Sequence, residues 1–337
     1  MFVGLLEGPF EPVVVAHGNH QREPNWTTSV AAITTTLAAD VMNVSRIWPS
    51  CDGGLLTGAI EPRAMNVGIV AQKGNSRAAY LAADMREALA AVDAEALVDD
   101  ATAEQLGIDG LPVEEFADCD LVVSIGGDGT FLYAARGGDG VPILGVNLGE
   151  VGFLNAVSPD DAIDAVLDVV EQIRADEPAI REVPRIVARG DDWELDPAMN
   201  EVVVHGPRRG HGGGAGIEVR VDGSLYSGGH ADGVLVSTPA GSTAYNLSES
   251  GPLVHPGVEG LVVTEMAASE GMPSLVVPLD ATVTVTVTDA EEAVVVGDGR
   301  TRRTVEPPIE VTIEQSDSPV RLAGPTSDFF EALGKLD

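Results

Sequence analysis

The pattern of apolar residues changes period near Ile180, and that change constrains the fold more than any other feature of the 337-residue chain. Before it, apolar runs alternate with helical stretches. Val67–Ala71, Leu121–Ile125 and Pro142–Asn147 read as buried strands, with a weak one at Ala96–Val98. Ser76 is placed to cap a helix reaching about Val92, and Thr130–Arg136 begins another. Ser158-Pro159-Asp160-Asp161 reads as a helix start: capping hydroxyl, proline at the first position, carboxylates at the positive end of the dipole. Ile163, Val166, Leu167, Val170 and Ile173 then share one helical face. This alternation predicts an open, mostly parallel, Rossmann-like α/β sheet.

After Ile180 the runs are short, β-branched and separated by Gly, Pro and Asp. They are Val202–His205, Ile217–Val221, Gly233–Ser237, Leu261–Glu265, Leu275–Val277, Val283–Thr288, Ala293–Val296 and Ile309–Ile313. They predict an all-β half built as a two-sheet β-sandwich. Val283–Thr288 alternates Val with Thr throughout, so one face is buried and the other wet. A last helix, Ser327–Leu336, is expected to pack back through Phe329, Phe330 and Leu333. The expected domains are therefore α/β over 65–180, β-sandwich over 181–326 and the C-terminal helix over 327–337.

Residues 1–64 carry 6 acidic and 3 basic residues and no sustained period. They read as sequence upstream of a true start at Met65, which opens the first strand, or else as a poorly ordered extension. The whole chain has 53 acidic against 19 basic residues, a net charge of −34. That balance repels phosphate backbones and anionic membranes, so nucleic acid and membrane partners are not expected. Only Lys73 and Lys335 are lysines, and the pattern resembles proteins adapted to concentrated salt. Cys51 and Cys119 cannot make a disulfide framework, no apolar run is long enough to span a bilayer, and the first residues lack a basic signal region. A cytoplasmic location follows as the expectation. His205, His211 and His255 have no metal-ligand spacing, so no protein-held metal site is expected.

Ser124-Ile125-Gly126-Gly127-Asp128-Gly129-Thr130 is the sharpest local feature. Glycines at a strand-to-helix turn let a phosphate approach the backbone, and the helix start offers it N–H groups. Asp128 would weaken simple anion binding, so its chemistry points elsewhere, to accepting a proton from an attacking hydroxyl or to holding a metal. Asp232–Ser248 runs from a strand into a loop dense in hydroxyls and small residues, suited to a ribose and a base edge, with Tyr245 available to stack or hydrogen-bond. Asn200-Glu201 at a strand start can grip a diol, although such pairs are more often turn residues.

Taken together and in this order, Gly126–Thr130, Asn200-Glu201 and Asp232–Ser248, continuing to Gly251-Pro252-Leu253-Val254-His255-Pro256, closely resemble the NAD kinases over about Met65 to Leu336. The resemblance implies phosphoryl transfer to the adenosine 2′-hydroxyl of NAD, from ATP or polyphosphate, with Mg²⁺, in a homodimer or homotetramer. It implies Asp128 as the base, with Gly126, Gly127, Gly129 and Thr130 around it. Asn200 and Glu201 would hold a ribose, and His230 and Asp232 would contact the nucleotide. Thr243, Ala244, Tyr245, Asn246, Leu247 and Ser248 would line the adenosine pocket. Leu148–Leu154 resembles the family's Gly-Phe-Leu turn.

The sequence also departs from the family. Glu265–Pro273 lacks the expected Pro, His and Arg, Ser248–Gly251 carries an unusual carboxylate, and Asp298-Gly299-Arg300 has a cation in place of an amide, positioned to reach a phosphate. The Arg208–Gly214 loop is either a mobile hairpin tip or a clamp on the donor phosphates. Two rivals remain at this level: a diacylglycerol-type lipid kinase with the same glycine turn, and a catalytically weak dinucleotide-binding regulatory paralogue.

Overall fold

The computed structural model describes residues 65–149, 153–208 and 213–334. The extension read over 1–64, the tip of the Arg208–Gly214 loop and the centre of the Leu148–Leu154 turn lie outside the described residues. Met65–Ala71 (β1), Ser76–Ala91 (α1), Ala94–Val98 (β2), Asp100–Leu106 (α2), Leu121–Gly126 (β3), Asp128–Gly137 (α3), Ile143–Asn147 (β4) and Ala162–Arg174 (α4) form the expected alternation. β2, β1, β3 and β4 pair in parallel. Every residue of β3 is buried, because helices cover both sheet faces. Met85 and Leu89 of α1 and Val166 and Val170 of α4 pack with Val67, Ile69 and Val123 on one face. Phe131 and Ala134 of α3, with Phe116 of a 3₁₀ turn, pack with Val70, Val122 and Ile143 on the other.

Two helix starts differ from the sequence reading. Asn75, not Ser76, caps α1, its side chain accepting from the N–H groups of Arg77 and Ala78. Ser158 does accept the Asp161 N–H at 3.2 Å, but that first turn closes onto Ser158 O over three residues. The turn is therefore 3₁₀-like, and the α-helix counts from Ala162.

The second half adds Ile180–Val183 (β5), Ile186–Arg189 (β6), Glu201–His205 (β7), Ala215–Val221 (β8), Ser224–Ala231 (β9) and Gly233–Ser237 (β10). A short helix, Tyr245–Ser248 (α5), precedes Gly260–Met266 (β11), Leu275–Pro278 (β12), Val283–Thr288 (β13), Ala293–Gly297 (β14), Thr301–Val305 (β15), Ile309–Gln315 (β16), Val320–Ala323 (β17) and a last helix, Phe329–Leu333 (α6). Two antiparallel sheets face each other, in the orders β12-β11-β10-β7-β14-β15 and β6-β16-β13-β8-β9. Their inner faces make one core: Val283, Val285 and Val287 of β13 are fully buried among Val204, Val236 and Val263. Each buried valine contributes about 1.5–3 kcal/mol. Along β13 burial alternates residue by residue, as the Val-Thr pattern dictates.

β17, which lies inside the segment read as sandwich, returns to the first sheet. It pairs in parallel with β4, and β5 follows it antiparallel at the edge. Shortly after β17, α6 packs back through Phe329, whose ring lies 5.9 Å from that of Phe153 and 5.2 Å from that of His255. Phe330 is 71% exposed, so it does not share in burying the helix as its sequence suggested.

Candidate active site

The glycine turn sits where β3 delivers the chain into α3, at the carboxyl ends of β1 and β3. That is where open α/β sheets take ligands. Gly127 opens α3 with no side-chain cap, leaving first-turn N–H groups to a ligand. Gly126 has no room for a side chain: a Cβ there would come within 2.6 Å of Thr130 Oγ1. A Cβ on Gly127 would meet nothing, so that side of the turn is open. The turn lines a cleft of about 510 Å³ together with Lys73, Asp99, Tyr133 and Arg300.

Asp128 is the first residue of α3. Its carboxylate accepts hydrogen bonds from the backbone N–H groups of Phe153 and Leu154 and, at 3.3 Å, from Asn155 Nδ2. Burial pushes its pKa up, and these three hydrogen bonds only partly offset that. Phe153 and Leu154 also line a second cavity of about 410 Å³, shared with Ala240, Thr243, His255 and Phe329.

The Met199–Glu201 backbone is gripped from two sides. The Asp298 carboxylate accepts from the N–H groups of Met199 (2.9 Å), Asn200 (2.8 Å) and Glu201 (3.2 Å). Thr238 Oγ1 donates to Met199 O at 2.6 Å and Thr238 N–H to Asn200 O at 2.9 Å. Gly241 passes so close that a Cβ would lie 2.0 Å from Asn200 O. The backbone is thereby fixed, while the Asn200 amide makes no hydrogen bond among the described residues and is free for a ligand. The Glu201 carboxyl is 6% exposed and its Oε2 has no partner. Burial, then the neighbouring Asp298, raise its pKa to about 7, opposed by a hydrogen bond from the Tyr245 N–H. Asp298 is itself raised, mainly by burial, against its three backbone donors and Arg136.

Asp298 and Gly299, at φ 47° and 66°, form the tight turn between β14 and β15. One residue of this turn holds Asn200-Glu201. Another, Arg300, reaches the glycine turn, its Nη2 lying 3.8 Å from where a Gly129 Cβ would be. One turn thus ties the Asn200-Glu201 backbone to the cleft that Arg300 and the glycine turn line together.

Residues 67–173 match the family model of the ATP-NAD kinase N-terminal domain, and residues 199–324 that of the ATP-NAD kinase C-terminal domain. The chain is 57% identical over 282 residues to the NAD kinase of Haloarcula marismortui, covering 81% of this chain and 100% of that one. It is 58% identical over 274 residues to the NAD kinase of Halorubrum lacusprofundi, with the same coverage. The chain belongs to the NAD kinase family. Among solved structures, an NAD kinase from Archaeoglobus fulgidus in complex with ATP aligns with a TM-score of 0.65 and 28% identity, over 80% of this chain and 98% of that one. Yeast NADH kinase complexed with NADH shares the fold, with a TM-score of 0.70 and 20% identity, over 81% of this chain and 87% of that one.

Within this NAD kinase fold, Gly126, Gly127, Asp128, Gly129, Thr130 and Arg300 come together at the turn, and Asn200 and Glu201 adjoin them through Asp298. Thr243, Ala244 and Tyr245 join a 3₁₀ turn to α5 on the outer face of the larger sheet, where Tyr245 packs on Val203, Leu235 and Met266. Leu247 and Ser248 are exposed. The Asn246 side chain turns inward. It is fully buried, donating to Ser242 O and Pro252 O and accepting from Thr264 Oγ1, so it holds the loop's shape. His230 and Asp232 are not brought to the cluster within this chain. Glu201 pairs with Ser237, whereas Asp232 precedes Gly233 at the far end of β10, about 16 Å of strand away. Sequence reasoning missed Asn155, which carries no motif. It singled out Asp298-Gly299-Arg300 but missed the role of Asp298 as a backbone acceptor, which depends on a turn geometry invisible in composition. In the altered Glu265–Pro273 stretch, Glu265 Oε2 accepts the Met272 N–H at 2.8 Å and closes the loop.

Proposed function

We propose that in this NAD kinase Asp128 is the general base and that the Asp298–Arg300 turn joins the two substrate sites. The enzyme phosphorylates the adenosine 2′-hydroxyl of NAD to give NADP. Asp128 accepts the hydroxyl proton as that oxygen attacks the terminal phosphorus of the donor and the donor's bridging oxygen leaves with its electron pair. The donor is ATP or polyphosphate, its phosphates lying against the open N–H groups of α3 with Arg300 beside them. Asn200 and Glu201 hold ribose hydroxyls, and a carboxyl titrating near 7 can either donate to or accept from a diol. Thr243, Ala244, Tyr245, Leu247 and Ser248 form the adenosine side, next to the 410 Å³ cavity that also exposes Phe153.

Mg²⁺ would neutralise the donor phosphates when bound. Such a cation would be carried by phosphate oxygens and water. No described helix is long and apolar enough to cross a membrane, and a cytoplasmic, salt-rich setting is part of this reading. So is a homodimer or homotetramer, supported by β9, an edge strand carrying exposed Gly228, Gly229 and His230.

The observation that carries the reading is the reach of the single β14–β15 turn to both the Asn200-Glu201 backbone and the glycine turn. The test is NADP formation from NAD, ATP and Mg²⁺ in molar potassium chloride, with polyphosphate as a second donor. Asp128→Asn should lose at least a hundred-fold in turnover, in line with general-base catalysis, yet still bind NAD by calorimetry. Turnover that survives the substitution removes Asp128 from the role.

A further inference from the structure

We propose that Asn155 is a positioning residue for the reaction: its amide holds the Asp128 carboxylate in the orientation from which it meets the substrate hydroxyl. The inference rests on the reading of Asp128 as the base. Asn155 is 2% exposed and directs Nδ2 to Asp128 Oδ1 at 3.3 Å. The reverse amide orientation would set Oδ1 against an anionic oxygen, so the nitrogen must face the carboxylate. The other end of the amide fits a notch made by Gly145 of β4, where a Cβ would stand 2.2 Å from Asn155 Oδ1 and 2.9 Å from Asn155 Cα. Its backbone is anchored two residues on, where Val157 bridges to Val146 and donates to Gly145 O at 3.1 Å.

The two preceding residues are braced as well. Phe153 and Leu154 supply the other donors to Asp128, Ser327 Oγ donates to Phe153 O at 3.0 Å, and the Phe329 ring packs on that of Phe153. Three successive residues therefore present three neutral donors to one carboxylate. Neutrality matters, because a lysine or arginine in that place would hold the carboxylate equally well while lowering its basicity. An amide orients the group and leaves burial free to keep it a competent base. The Arg300 guanidinium stands over Gly129.

Asn155→Ala and the near-isosteric Asn155→Asp are assayed in the full chain, in molar potassium chloride, beside Asp128→Asn. Asn155→Ala is expected to lower kcat roughly ten- to a hundred-fold with KM for NAD and ATP within about two-fold. It also shifts the acid limb of the kcat–pH profile to higher pH, because a hydrogen bond favouring the ionised form is gone. Asn155→Asp keeps the packing but sets a second carboxyl against Asp128, and it should shift that limb further in the same direction. An unchanged acid limb in both variants overturns the inference, whether or not kcat falls, since a packing role alone lowers activity without moving the limb. Loss of turnover in Asp128→Asn alongside normal Asn155 variants overturns only the positioning role. Turnover retained in Asp128→Asn overturns the base assignment itself.

Discussion

Replacing Glu201 by glutamine should make the unliganded fold more stable, increasingly so as pH rises. The wild-type carboxyl is buried beside Asp298 with one oxygen unpartnered, and its pKa is about 7 against an ordinary 4.5. The folded state therefore binds the proton more tightly than the unfolded chain. Stability from this group is fully present below about pH 4.5 and is lost as pH rises through 7. Moving a carboxyl from 4.5 to about 7 corresponds to about 3 kcal/mol. Glutamine has nearly the same shape, retains an oxygen for the Tyr245 N–H and does not ionise. Urea unfolding of both proteins in molar potassium chloride should give a difference of about 1 kcal/mol at pH 5, growing to about 3 kcal/mol above pH 7.5. The background of −34 net charge is nearly common to both proteins and largely cancels in the difference. A difference that stays flat across this range, or a variant less stable than wild type at pH 8, refutes the reasoning. Residues that make a fold less stable where they stand are characteristic of sites kept for binding or chemistry.

Arg300→Gln should raise the KM of the phosphoryl donor about ten-fold while leaving NAD binding within two-fold, because the Arg300 guanidinium overhangs Gly129 of the glycine turn. Steady-state kinetics with each substrate varied in turn checks this, and an equal rise in both KM values would contradict it. The melting temperature should climb by roughly 10 °C between dilute buffer and molar potassium chloride, as screening shortens the reach of self-repulsion from about 30 Å to about 3 Å. A salt-independent melting curve would remove the argument for adaptation to high salt.

Legibility follows how local the determinant is. Leu121–Ile125 and Val283–Thr288 can be read directly, because burial on both faces or on one face leaves its own period in the residues. Asp100–Leu106 leaves no such trace: it is only seven residues long and is held by the Asp99 cap rather than by an apolar stripe. The glycine turn and Asn200-Glu201 stand out as motifs, but what links them is the Asp298–Arg300 turn, almost a hundred residues beyond Asn200, which holds one through Asp298 and reaches the other through Arg300. Asn246 shows the opposite case. It lies in a segment with ligand-binding chemistry, yet the packing around Thr264 and Pro252 claims its whole amide. The resemblance groups His230 and Asp232 with the nucleotide, and within a single chain one β-strand's length separates them from Asn200-Glu201.

The return of β17 to the first sheet makes the order of synthesis matter. Leu322 lies beside Ile143 although the two are separated by about 180 residues, so the first sheet cannot close its β4 edge until nearly the whole chain has left the ribosome. Until then the sheet stands open where a neighbouring nascent chain can pair with it. Closure at so great a sequence separation also carries a large entropic cost, which favours prior assembly of the intervening sandwich. A chain that stops short of Val320 therefore lacks more than a tail, because its parallel sheet is left unfinished at the strand that precedes the Phe153–Asn155 cradle.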